Sequence, residues 1–150
     1  MKRLETLLKL SLCCLMLSLF AGCNNEDDIN GIFIERTWYV TNLFEADGKT
    51  PALDEEQHKE ILNNPGNYRI AFTPETFNAQ AGDCVFSGRW SVDGKSQSIR
   101  FTMDTGTSGT DPISIMLIKV LEDAVRYEGS YTFLRIYTKE GTSVLFDSDE

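Results

Sequence analysis

The side chains able to do covalent or metal chemistry in this chain are few: four cysteines, a single histidine and scattered carboxylates. Cys13 and Cys14 sit inside an apolar N-terminal run, Cys23 follows the small residues Ala21-Gly22, and Cys84 stands alone in the body of the chain. A thiol acts as a nucleophile once a neighbouring base has made it a thiolate. His58 is the only imidazole and lies in a different segment, so Cys84 reads as a packed thiol. The same imidazole among Glu55, Glu56 and Glu60 lacks the second His or Cys that a zinc site needs, and reads as an exposed helix face. A catalytic aspartyl pair requires two carboxylates sharing one proton, whereas Asp104-Thr105-Gly106 occurs once. Asp104 and Asp111 also fall short of the dense ligand series of a calcium loop. No Gly-rich phosphate loop or serine nucleophile motif occurs. The expectation is no catalytic residue, no metal and no cofactor, with Cys23 as the one thiol placed for modification.

Residues 1–22 have the layout of a secretory leader: Lys2, Arg3 and Lys9 precede an apolar run from Leu10 to Phe20. That run is short of the roughly 20 residues that cross a bilayer. Leu19-Phe20-Ala21-Gly22-Cys23 resembles the bacterial lipobox, with Phe20 in place of the preferred leucine. The resemblance implies a leader cut before Cys23 and a lipid on its sulfur, and therefore an outer-membrane lipoprotein. Two or more acyl chains hold durably, because each buried CH₂ contributes roughly 0.8 kcal/mol. Glu26-Asp27-Asp28 resembles the acidic signal that sends some lipoproteins to the cell surface; a periplasm-facing position is the alternative, with the acidic run as a solvated tether.

Cutting the leader removes Lys2, Arg3, Lys9 and Glu5, which takes the 14 basic and 23 acidic residues to 11 and 22, a net charge of −11 on 128 residues. Such a body repels phosphate backbones, so no nucleic acid is expected as partner. Cys84 would then have no intrachain disulfide partner. The chain divides into leader 1–22, a lipid-anchored flexible tether 23–34, and one β domain 35–150.

Within that domain most segments alternate with a period of two. Arg36 to Phe44 reads as a strand with Trp38, Val40 and Asn42 on one face. Asp54 is placed to cap a short polar helix that Pro65-Gly66 stops. Tyr68, Ile70 and Phe72 share a face, as do Cys84, Phe86, Gly88, Trp90 and Val92, and Asp93-Gly94 marks a hairpin into Ile99, Phe101 and Met103. Asp111-Pro112 opens an apolar segment in which Ile113, Met116, Leu117, Val120, Leu121 and Ala124 recur at helical spacing, although its β-branched residues also allow a strand. Strands at 131–137 and 142–146 close the chain. The predicted fold is α+β, mainly β: a strongly curled antiparallel sheet, or partial barrel, with one apolar helix packed on it and one short polar helix.

Thr37-Trp38-Tyr39-Val40, Asp47-Gly48-Lys49, the central Gly82 to Val92 and the order of helix and strands after Ile113 resemble the META domain of HslJ-type envelope lipoproteins, a small lipocalin-like β domain. Val85 stands where that family commonly has Asn, and a further cysteine before the helix is absent. The resemblance implies an envelope lipoprotein without catalytic residues. The expected function is a non-catalytic binding or interaction module, its partners being the membrane through the Cys23 lipid and an envelope protein. The alternatives are a structural spacer, or a carrier of a small apolar ligand if the aromatic residues line a cavity. Replacing Cys23 with Ala should shift the chain from the membrane to the soluble fraction; intact mass of the wild-type protein should show the leader gone and acyl chains added.

Overall fold

The computed structural model describes residues 26–104 and 106–148. Eight antiparallel strands follow one another around a closed barrel in the order β1 to β8. They are β1 (Thr37–Phe44), β2 (Tyr68–Phe72), β3 (Thr76–Ala81), β4 (Cys84–Asp93), β5 (Ser98–Met103), β6 (Ala124–Gly129), β7 (Phe133–Thr138) and β8 (Ser143–Ser148). The helices are α1 (Ile29–Phe33), α2 (Glu55–Asn63) and α3 (Pro112–Glu122), with a 3-10 turn at Pro65–Asn67. The expected partial barrel is thus complete, because β8 returns to pair with β1 from Trp38↔Ser148 to Phe44↔Ser143.

An eight-stranded barrel has an interior just wide enough for side chains to fill. The inward residues here include Trp38, Val40, Leu43, Ile70, Phe72, Phe77, Phe86, Trp90, Ile99, Phe101, Leu134, Ile136, Val144 and Phe146, all buried. Their rings touch one another: Phe72 and Trp90 lie 4.7 Å apart by centroid, and Phe77 and Phe101 meet edge to face at 5.1 Å. Gly88 makes room in that wall, since a Cβ there would lie 2.1 Å from the Thr102 carbonyl oxygen of the neighbouring strand. The Trp90 indole donates to the Thr73 carbonyl at 2.8 Å. Trp38 Nε1 is the one buried side-chain nitrogen or oxygen among the described residues that has no partner. Outward positions carry Arg69, Asn78, Arg89 and Arg100, all exposed, the reverse of a barrel that faces lipid.

Three sequence expectations need correction. A β-bulge between Val40 and Asn42 shifts the alternation by one residue, so Leu43, and not Asn42, joins Trp38 and Val40 inside. The apolar segment after Pro112 is a helix as its spacing suggests, but Ala124 already belongs to β6. The tether assigned to residues 23–34 is part of the fold from Asp27 onward: α1 buries Ile32 and Phe33, and Ile34 bridges to Phe72.

The ends of the barrel are closed by helices. Phe33 packs against Phe72, Trp90 and Tyr127 with centroids 4.9 to 5.1 Å away, and seals the end where β1 begins. At the far end α3 touches β3, β5, β7 and β8, strands from opposite sides, with Leu117 and Leu121 fully buried. β5 and β6 pair at one register position, Ser98↔Arg126, and α3 connects them. Phe33→Ala is expected to cost about 3–5 kcal/mol, the range for a large aromatic removed from a packed core, measured by urea denaturation.

Candidate functional site

The residues at the two ends of the barrel differ in chemistry. At the Phe33 end the N-terminal arm is tied down by its own acidic residues. The Asp27 carboxylate accepts the Tyr127 hydroxyl at 2.9 Å and the Gln97 amide at 3.1 Å, and its backbone N–H donates to the Gly94 carbonyl. The Asp28 carboxylate caps α1 through the Gly31 N–H and accepts the Tyr131 hydroxyl at 3.0 Å. A Cβ at Gly31 would sit 2.4 Å from the Tyr131 ring, so any larger residue there would displace the Tyr131 and Asp28 side chains. The Arg36 guanidinium donates to the Tyr131 carbonyl and lies 5.5 Å from its ring. An open groove of about 760 Å³ runs between α1, Glu35, Arg36 and Tyr131.

At the α3 end a second groove, about 520 Å³, runs between α2, the β3–β4 turn and the start of α3. Asp54 and Asp111 cap the two helices in reciprocal capping boxes, each using one carboxylate oxygen. Glu56, Glu60 and Asp83 line the same groove, and among the described residues no Lys, Arg or His does. Tyr68 is 4% exposed and lines the groove. Its pKa is raised, first by burial and then by the negative charges of Asp111, Glu60 and Asp83. The carboxylates are spaced along the groove, and among the described residues no three His, Cys, Asp or Glu side chains group to hold a metal ion. The arrangement suits a partner with several positive charges along its length.

The residues singled out by sequence are scattered. Cys23 and residues 1–22 lie outside the described residues. Cys84 is a free, half-buried thiol opposite Ala81, and His58 is half-buried on α2. Asp104 accepts the Ser87 hydroxyl at 2.6 Å while Asp111 caps α3, so the two carboxylates serve separate structural purposes. The acidic groove was missed because its members come from four distant segments; Asp54 and Asp111 were legible as caps, but nothing in their spacing set them together.

The family model described as "Domain of unknown function (DUF4847)" matches residues 24–146. The chain belongs to the DUF4847 family. A crystal structure of a DUF4847 family protein from Bacteroides vulgatus ATCC 8482 is similar in fold, with a TM-score of 0.66 at 20% identity over 79% of this chain and 96% of that one. An NMR structure of a protein from Burkholderia xenovorans shares the fold more distantly, with a TM-score of 0.54 at 11% identity over 86% and 92% of the two chains. No curated protein matches. The DUF4847 assignment replaces the META resemblance. Trp38, Phe86, Gly88 and Trp90, which carried that resemblance, are inward residues that a filled small barrel needs, and Asp47-Gly48 is a turn whose carboxylate accepts the Lys49 and Thr50 N–H groups.

The Tyr127 hydroxyl is pushed above its ordinary value of 10.0, first by burial and next by the hydrogen bond to Asp27. Folded Tyr127 keeps its proton where the unfolded chain loses it, so its stabilisation is complete below about pH 10 and declines as pH rises further. Asp27→Ala, which leaves that hydroxyl buried and unpaired, is expected to cost about 1–3 kcal/mol at neutral pH. Tyr127→Phe should lessen the loss of stability above about pH 10, as read by urea midpoints across the alkaline range.

Proposed function

We propose that this DUF4847 chain is a non-catalytic outer-membrane lipoprotein, anchored by a lipid on Cys23, whose helix-capped rim binds a basic segment of another envelope protein. The anchor rests on the leader and on the small residues before Cys23. The binding reading rests on one observation: among the described residues, a groove lined by Asp54, Glu56, Glu60, Asp83 and Asp111 with no Lys, Arg or His in its lining. Lysine or arginine side chains spaced along an extended segment match carboxylates spaced along a groove, and such complementarity governs encounter and register. Cell-surface display is the favoured position and the periplasmic face the alternative.

A carrier of a small apolar ligand is less well supported, because the aromatic rings that would line its cavity pack on one another. A spacer within an envelope complex is the second reading, favoured by the sealed barrel and by an arm fixed to it through Asp27 and Asp28. The two readings part on one measurement. Glu60 and Asp83 are exposed, so the double variant Glu60→Lys/Asp83→Lys should fold normally. Calorimetric titration with a lysine-rich peptide is expected to show binding to the wild type that weakens with salt, and a loss of about tenfold or more in the variant, which is about 1.4 kcal/mol. Absence of binding to the wild type, or equal binding to both, would favour the spacer.

A further inference from the structure

We propose that the α1 end of the barrel rests on the lipid headgroups, held there by a tether too short to let the domain turn over. The inference rests on the reading that Cys23 carries the lipid. The chain joins the fold at Asp27, whose carboxylate and backbone N–H are bound by Tyr127, Gln97 and Gly94. Between Cys23 and Asp27 stand Asn24, Asn25 and Glu26. Four Cα steps of about 3.8 Å give that stretch a reach of at most about 15 Å. A compact domain of this length has a radius of gyration of about 14 Å, so the reach is less than half its diameter. Wherever the lipidated sulfur lies at the headgroup level, the end that carries Asp27 lies beside it.

The exposed side chains of that end suit the position. Among the described residues two large aromatic residues are exposed, Tyr131 at 53% and Phe133 at 40%. Tyr131 lies in the β6–β7 connection, bonded to Asp28, and Phe133 opens β7; Arg36 holds the Tyr131 carbonyl. Aromatic side chains with a polar edge and basic side chains with apolar stems favour the headgroup region. Of the two other hairpin turns at this end, 93–97 carries Lys95 and 73–75 carries Glu75, so acidic and basic side chains are interspersed there. The covalent chain supplies the holding force, and the rim supplies compatibility. A barrel seated in this way points the acidic groove between α2 and α3 away from the bilayer, where a partner can reach it.

The test uses the leaderless chain with Cys84→Ser, so that Cys23 is its one thiol, coupled to a maleimide-headgroup lipid in phosphatidylcholine nanodiscs containing a gadolinium-chelate lipid. Backbone amide broadening then reports distance from the headgroup plane. Amides of 93–97 and 130–132 are expected to broaden several-fold more than those of α2. A Gly/Ser insert of about 15 residues before Glu26, with an r.m.s. length of about 20 Å, should bring the two sets close to equal. Equal broadening without the insert would overturn the orientation while leaving the anchor intact. Wild-type protein whose intact mass shows an unmodified Cys23 would overturn the anchor reading, and this orientation with it.

Discussion

The constraint on which this structure depends is that a closed eight-stranded barrel leaves an interior that side chains must fill and two mouths that something must seal. Fourteen or so large inward residues meet the first requirement, with aromatic rings in contact from Phe33 through Trp90, Phe72 and Phe101 to Phe77 and Phe86. The second is met by helices. Phe33 on α1 closes one mouth, and Leu117 and Leu121 on α3 close the other. β5 and β6 share a single register pair, and α3 is the segment that joins them.

Sealing the barrel in this way divides its polar chemistry between the ends. At the α1 end, the carboxylates of Asp27 and Asp28 are spent on tyrosine hydroxyls and backbone N–H groups. The acidic run after Cys23 therefore has a structural use beyond any sorting signal. At the α3 end, both long helices begin near one another, and each brings a capping aspartate to the rim. With Glu60 and Asp83 added, the carboxylates outnumber what the helix ends use, and that surplus carries the proposed affinity for a basic partner.

Much of the barrel was legible beforehand because period-two alternation is a local property. Tyr68, Ile70 and Phe72 on β2, and Phe86, Gly88 and Trp90 on β4, point inward as their spacing says. The exception on β1 is instructive. The bulge marks the sequence only by polar Asn42 standing before apolar Leu43, and the pairing with β8 shows that Leu43 takes the inward place expected of Asn42. The META resemblance rested on residues such as Trp38, Phe86, Gly88 and Trp90, whose types follow from their inward places in the barrel, and the DUF4847 match over residues 24–146 decides the family.

Taken alone, the amino-acid order determined the strand faces, the capped helices at Asp54 and Asp111, the hairpin at Asp93-Gly94 and the acidic charge, since each depends on neighbours a few residues apart. Tertiary structure alone decided that the sheet closes, that residues 27–34 plug it, and that Glu60, Asp83 and Asp111 share a groove. Those facts join segments up to about a hundred residues apart, as Asp27 and Tyr127 do. Contacts of that span are selected by how the whole interior packs, and packing is a property of the assembled core that no single stretch of sequence carries.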